Sequence, residues 1–565
     1  MWNHAVLLVV FLLVITPLLF LVLGSFSTAA LPTDFSVWST GFINYITVYT
    51  DPVTYSVLTN TVIYAGGSVA VGITLAALLA WLVERTDLPG KVVIYAGVPM
   101  AIAMPGMLQA MAWVLLFSPR IGFINRILKQ AFSLSEPAIN IYSLGGMISI
   151  EGLRLVPTAF LMLVPLMRNM DPSLEEAAAV SGASPGSTAR HITTRLLAPG
   201  LVAVMIYQGM AALEGFEIPG ILGLPAGIHV FATKIYSLVH SATYPPPYGQ
   251  ANALSMAYMG LAVVAMVLYS KMISRTEKYT IITGKGYRPR LIALGRWRHP
   301  ALAFGILYLF FSIGLPFLVL LYSSFLPYLQ APSMEAFRTM TLKNYRLLAD
   351  SEDLWQTLKN TIIMVVVTAT ASTLFSFFIS LIVVRSRFWG KRILDQLAFL
   401  PHQLPGMVMA LAFLWIFVNL DSVIPIYGTI WTIAIAFTVS FIAYGTRSMN
   451  AAILQIHKEL EEAAYLSGAS PARTIRRIFF PLLLPTFAGV WIWVVLHAVR
   501  FAGTPLMLAE GTKNRVLAIL IWNMWDWGHM GAVAALGTLL IVTLLILTVV
   551  VRLAGFRRHA VQVRG

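Results

Sequence analysis

Long apolar runs alternate with short polar stretches along this chain, and each run is about as long as a bilayer crossing. About twelve runs of roughly 20 residues stand out, near 5–24, 57–83, 92–117, 144–167, 199–222, 251–273, 301–325, 359–384, 395–419, 427–446, 483–508 and 532–555. Within each run the hydrophobicity is continuous and does not alternate from residue to residue, which predicts helices and not barrel strands. The expected fold is an all-α polytopic membrane protein of about twelve transmembrane helices.

The pattern is written twice. Pro17 and Ser25-Phe26 recur as Pro316 and Ser324-Phe325, Asn44-Tyr45 as Asn344-Tyr345, and Asn60-Thr61 as Asn360-Thr361. Arg85, Gly90 and Lys91 recur as Arg385, Gly390 and Lys391, and Pro105-Gly106-Met107 as Pro405-Gly406-Met407. Beyond that point the first half carries extra residues, expected to lengthen an external loop around 118–143. The division is a first half at 1–273, a basic linker at 274–300 and a second half at 301–565. Six spans per half is an even number, so both halves enter the membrane in the same sense, as parallel repeats about an axis along the membrane normal. The first span lacks a basic leader and has an internal twin, so it is expected to be retained and not cleaved as a signal peptide.

One polar passage interrupts each half. Glu175-Glu176-Ala177-Ala178, followed by Gly182-Ala183-Ser184-Pro185, returns as Glu461-Glu462-Ala463-Ala464, followed by Gly468-Ala469-Ser470-Pro471. Asp171 is placed to cap a helix with Pro172 at its first position, and the glutamates suit the positive end of the helix dipole. Gly182 and Gly468 are placed to supply a left-handed residue that ends the helix, after which Ser184 and Ser470 cap a second one. The product is a helix–turn–helix with close-approach alanines, repeated where a two-fold partner would dock on one face of the bilayer.

Charge fixes which face that is. The net charge is +15, with 58% hydrophobic and 11% charged residues and a mean hydropathy of +0.80. Bases gather in every second loop. Lys271, Arg275, Lys278, Lys285, Arg288, Arg290, Arg296 and Arg298 crowd residues 271–300, whereas 25–56 holds Asp34 and Asp51 and no base. The positive-inside rule makes the face with the repeated motif cytoplasmic, together with both termini. The basic excess is therefore topology and not a nucleic-acid site. Cys is absent, so disulfides and thiolate metal sites are excluded.

Glu-Ala-Ala, three residues, Gly, nine residues, Ile, one residue, Leu-Pro resembles the EAA loop of binding-protein-dependent ABC importer permeases. Glu462, Ala463, Ala464, Gly468, Ile478 and Pro481 fit it, with Phe480 in place of Leu; Glu176, Ala177, Ala178, Gly182 and Ile192 fit it, with Thr194-Arg195 replacing Leu-Pro. The resemblance covers essentially the whole chain, and implies the type I importer permease fold with both halves fused. It implies EAA loops near 171–195 and 457–481, each a coupling helix resting on one of two ABC ATP-binding subunits on the cytoplasmic face. It also implies an external or periplasmic solute-binding protein, a bacterial cytoplasmic (inner) membrane location and surrounding lipid. The closest family likeness is to ferric-iron permeases; thiamine, aminoethylphosphonate, polyamine and other small solutes are alternatives. An ion-coupled secondary transporter is the rival class, which has no need of a docking loop in each half.

No phosphate-binding loop is present: Gly90-Lys91, Gly284-Lys285 and Gly390-Lys391 are followed by Val, Gly and Arg. The chain is expected to be no enzyme and to hold no cofactor, with ATP and magnesium on the partner subunits. The ten histidines are scattered, so no metal cage is expected. Met100, Met104, Met107 and Met111 form a helical stripe, but their twins Leu400, Leu404, Met407 and Leu411 favour packing. Glu214, Glu217, His497 and Arg500 fall in or near the fifth and eleventh spans, where ionisable groups are costly and face a cavity or partner. They are the candidate pathway or gate residues, with Glu214 the twin of Arg500. Glu151 and Arg154 are expected to pair along one helix, and the Pro-Gly pairs at 105 and 405 to kink theirs.

Overall fold

The computed structural model describes residues 2–34, 39–168, 177–178, 180–276, 291–508, 510–511 and 514–562. Among them every regular element is a helix, with two isolated β-bridges. Among the described residues ten helices are long and apolar enough to span a bilayer. Two further spans are bent pairs, Lys91–Ala103 with Gly106–Phe117 at 98° and Lys391–Gln403 with Gly406–Leu420 at 108°. Taking these pairs as the third span of each half gives six spans per half.

The sequence expectation of kinked but continuous helices at 92–117 and 395–419 is corrected by these angles. Pro105 and Pro405 are extended, at φ −64° and −59° with ψ 134° and 136°. Proline lacks an N–H and disfavours the α region in the residue before it, so each helix stops and a new one starts at the glycine. The methionine stripe is broken by the same turn: Met100 lies before it and Met107 and Met111 beyond it, so no single helical face carries all four. Met104, Met107 and Met111 are buried core residues, as are Leu404, Met407 and Leu411.

A third bent pair, Pro219–Ala226 with Phe231–Val239 at 72°, follows the fifth span of the first half. In the second half short helices at Gly503–Leu508 and Leu517–Asp526 follow the fifth span. Both segments are tied down by repeated residues. Asn60 Nδ2 donates to the His229 carbonyl at 3.2 Å, and Thr61 Oγ1 accepts from Phe231 N–H at 3.0 Å. Asn360 Nδ2 donates to the Arg515 carbonyl at 3.1 Å, and Thr361 Oγ1 accepts from Leu517 N–H at 2.8 Å. Each threonine thus caps the N-terminus of a helix remote in sequence, satisfying a donor that the membrane interior cannot.

The chain forms two compact units that cut across the sequence halves. One comprises Met1–Thr54, Lys234–Gly260 and Ala349–Trp527; the other comprises Tyr55–Thr233, Leu261–Leu348 and Gly528–Gly565. In the first unit the opening span, Trp2–Ser25, packs on the bent third span of the second half. Gly24 admits the Trp415 ring there, since a Cβ would lie 3.0 Å from it. In the second unit the span Gly295–Ser324 packs on the bent third span of the first half. Leu309 presses on Gly97 and Ile94 on Gly305, small residues letting two spans approach closely. A π-helical turn at Phe310–Gly314 accompanies this contact, and Gln109 Nε2 donates to its Ser312 carbonyl at 3.2 Å.

The second and fourth spans of each half cross closely, by different chemistry. In the second half Thr368, Ser376 and Ser380 donate to the Ala434, Ile442 and Thr446 carbonyls at 3.4, 3.2 and 3.2 Å. In the first half Gly72 faces the Gly152 carbonyl, where a Cβ would lie only 2.9 Å away. The extra residues at 118–143 fold around a short helix, Phe123–Ala131, where the second half has only a turn at 421–429. Asn125 closes that loop, donating to Phe117 and Ile139 carbonyls at 2.8 and 2.7 Å and accepting from Ile139 N–H at 3.0 Å.

Candidate functional site

The second repeated loop is complete. His457 precedes a helix at Lys458–Leu466 that carries Glu461, Glu462, Ala463 and Ala464. It ends at Gly468, whose φ is +75°. Gly468 N–H donates to the Tyr465 carbonyl at 3.0 Å and Ala469 N–H to the Ala464 carbonyl at 2.9 Å, the paired closure that satisfies a helix C-terminus. Ser470 then accepts from Arg473 N–H at 3.4 Å, with Pro471 opening the next helix. A π turn at Ile475–Phe479 leads into the fifth span, Phe480–Arg500. Tyr465 Oη donates to Glu461 at 3.3 Å; partial burial, then the adjacent carboxylate, raise its hydroxyl pKa above the ordinary value.

The first loop repeats this geometry where it is described. Gly182 has φ +82°, Ala183 N–H donates to the Ala178 carbonyl at 2.9 Å, and Ser184 Oγ accepts from Ser187 N–H at 3.3 Å. A π turn at Ala189–Thr193 stands at the twin position. Ala177 is exposed and Ala178 half-buried. The expected Asp171–Pro172 cap, Glu175 and Glu176 lie outside the described residues.

Between the alanines and the glycine each loop presents an apolar side chain to the outside. Val180 and its twin Leu466 are each 90% exposed. Neither is held by the chain's own packing. Sequence reasoning passed over both, although an apolar residue at twin positions of a polar loop was the available signal.

The candidate pathway residues separate between the two units. In one, Glu151 and Arg154 make the expected pair along the fourth span, with Arg154 Nε and Nη2 donating to the carboxylate at 2.8 and 2.5 Å. Glu151 is 1% exposed. Glu214 ends the fifth-span helix and Glu217 follows the break at Gly215. A Cβ on Gly106 would lie 3.3 Å from Arg154 Cδ and 3.7 Å from Glu217 Cβ, so Arg154 and Glu217 converge at the third-span break. Tyr64 joins them: a Cβ on Gly215 would sit 3.4 Å from its hydroxyl and 3.8 Å from Glu151 Oε1. This grouping of four spans was missed in the sequence, which offers only the local Glu151–Arg154 spacing.

The other unit holds His497 and Arg500 in the last turn of its fifth span. His497 Nδ1 meets the Trp493 carbonyl at 2.8 Å. Its ring stacks on Trp493 at 3.8 Å, and Trp493 on Tyr444 at 3.7 Å. The aromatic column Tyr444–Trp493–His497 therefore ends one turn from Arg500.

Two stretches, 68–278 and 372–559, match the binding-protein-dependent transport system inner membrane component family, and each contains one of the loops. The chain belongs to this family. It is 27% identical over 494 residues to the ferric transport system permease protein FbpB of Actinobacillus pleuropneumoniae, covering 85% of this chain and 67% of the relative. It is 21% identical over 454 residues to the Fe(3+)-transport system permease protein FbpB 2 of Haemophilus influenzae, covering 80% of each. The spermidine/putrescine permease PotC of Escherichia coli K12 is 25% identical over 238 residues, covering 42% of this chain and 86% of PotC. This permease is thus a multi-pass membrane transport subunit whose two family matches carry the same loop.

Proposed function

We propose that this permease is the membrane channel of an ATP-driven importer, with the loops near 171–195 and 457–481 as docking sites for two ABC ATP-binding subunits. The observation that carries it is the pair of matching loops, each ended by a left-handed glycine and each offering an unburied apolar side chain to a partner. ATP and magnesium belong to the docked subunits, and an external solute-binding protein delivers the cargo. Ferric iron is the proposed cargo, supported by relatives named for ferric transport that align over most of the chain. The docking face and both termini lie in the cytoplasm at a bacterial inner membrane, a reading supported by the basic loops. Glu214, Glu217, His497 and Arg500 serve as pathway or gate groups, because ionisable side chains within spans face a cavity or a partner.

The test is reconstitution in liposomes with the ATP-binding and solute-binding proteins encoded beside it. Uptake of ferric iron is expected only with ATP inside and the binding protein outside. Uptake driven by an ion gradient without those subunits would overturn the importer reading. ATP-dependent uptake of thiamine, aminoethylphosphonate or a polyamine in place of iron would overturn the cargo alone.

A further inference from the structure

Arg385 ends the second span of the second half, Glu352–Arg385. Its side chain is only 10% exposed, unusual for a cation at a helix terminus on the cytoplasmic face. Nη2 donates to the Ile453 carbonyl at 2.9 Å and also to the Ile456 carbonyl. Nε lies 3.9 Å from Glu461 Oε2, and the guanidinium carbon stands 5.8 Å from the centre of the Phe479 ring. Ile453 is in the last turn of the fourth span, Ile430–Leu454, and Ile456 is in the short connection to the loop helix. Glu461 is on the loop helix itself, and Phe479 ends the π turn that opens the fifth span.

One guanidinium therefore joins four elements. Carbonyls at a helix C-terminus lack intrahelical donors and carry the negative end of the dipole, so a cation is favoured there. The forked, planar donor set of arginine reaches several acceptors at once, which a lysine ammonium on its flexible stem cannot do in the same geometry. The glycine closure at Gly468 fixes the far end of the loop helix, and Arg385 fixes the near end.

We propose that Arg385 is the positioning residue that joins the loop helix Lys458–Leu466 to the second, fourth and fifth spans, so that displacement of the loop by a docked subunit moves those spans together. The coupling role rests on the importer reading; the rigid junction does not.

The test compares Arg385→Gln, Arg385→Lys and Glu461→Gln with the parent chain, full length, in lipid nanodiscs. Hydrogen exchange at the amides of 455–466 is expected to rise roughly tenfold in Arg385→Gln, less in Arg385→Lys and Glu461→Gln, with 180–188 unchanged. Unchanged exchange at 455–466 in Arg385→Gln overturns the junction. If Arg385→Gln exchanges faster throughout, Glu461→Gln decides, and an unchanged loop there also overturns it. With the ATP-binding subunits added, Arg385→Gln is expected to keep them bound. The ratio of binding-protein-stimulated to basal ATP hydrolysis is expected to fall severalfold, partly restored in Arg385→Lys. An unchanged ratio overturns the coupling role. Failure of the subunits to bind the parent chain would overturn the importer reading while leaving the exchange result standing.

Discussion

Leu466→Ala separates docking from folding. Leu466 is 90% exposed in the chain alone, so removing three of its carbons takes away almost no internal packing. An exposed substitution of this kind changes stability by no more than about 0.5 kcal/mol. If a docked subunit buries the side chain, the same three carbons contribute at about 0.8 kcal/mol each, or roughly 2.4 kcal/mol. That corresponds to about a 50-fold weaker association at that loop. Val180→Ala removes two carbons, about 1.6 kcal/mol, and is expected to weaken its loop by about 15-fold on the same scale. The two sites are on separate loops, so their effects add. The assay is titration of the ATP-binding subunit onto the permease in nanodiscs, with thermal unfolding of the permease alone as control. Two results would refute the reasoning: unchanged association in the double variant, or a loss of permease stability as large as the loss of association.

At Gly468 the strain of substitution is all backbone, because a Cβ would meet nothing within 4 Å. Val is expected to lower the stability of the loop by about 1–2 kcal/mol or more and Asn by much less, read as hydrogen exchange at 463–470; equal effects of Val and Asn would show that the positive φ is irrelevant. Thr361→Val keeps the shape of the side chain but leaves Leu517 N–H without its acceptor, and is expected to cost about 1–3 kcal/mol in thermal unfolding. Asp87 accepts from Arg298 and from Leu294 N–H, at 2.8 Å in the latter case, and these donors, Arg298 foremost, lower its pKa. A lowered carboxylate stabilises the folded state above its unfolded pKa, near 4, and loses that contribution as pH falls through the folded value. The Tm of the permease is accordingly expected to be flat through neutral pH and to fall as pH drops below about 4, while Asp87→Asn lowers it at pH 7. Single cysteines placed at 278 and 560 in this cysteine-free chain are expected to resist an impermeant thiol reagent applied outside intact cells, while one at 40 is labelled.

Hydropathy and repetition made the spans, the two loops and their glycine ends legible because each depends on local composition or on a short spacing. Direction was not legible. The apolar run at 92–117 passes through Pro105-Gly106 without a charged residue, so hydropathy sees one span where the backbone turns by 98°. The stripe of methionines is periodic only if that turn is ignored. Partner choice was equally hidden: nothing near Gly97 or Gly305 in sequence says that Leu309 and Ile94 will fill the space beside them. The threonine caps at 61 and 361 were visible as a repeat, but their acceptor role depends on helices well over a hundred residues away.

The duplicated and unduplicated residues divide the work of the permease. Positions that recur in both halves are mechanical: the Pro-Gly turns, the Asn-Thr ties, the loop glycines and the arginines at 85 and 385. The in-span charges do not recur. Glu151 and Arg154 correspond to Phe437 and Ser440, Glu214 to Arg500 and Glu217 to Gly503. A charge within a span costs several kcal/mol unless it is partnered or hydrated, so its retention in only one half has no structural excuse from the shared scaffold. Under the proposed function two ATP-binding subunits of one kind would meet two equivalent loops, and the sequence carries the loop twice. Within one unit Glu151, Arg154 and Glu217 gather at the third-span break, and within the other His497 and Arg500 follow an aromatic column, so the halves share a scaffold and differ in their in-span chemistry.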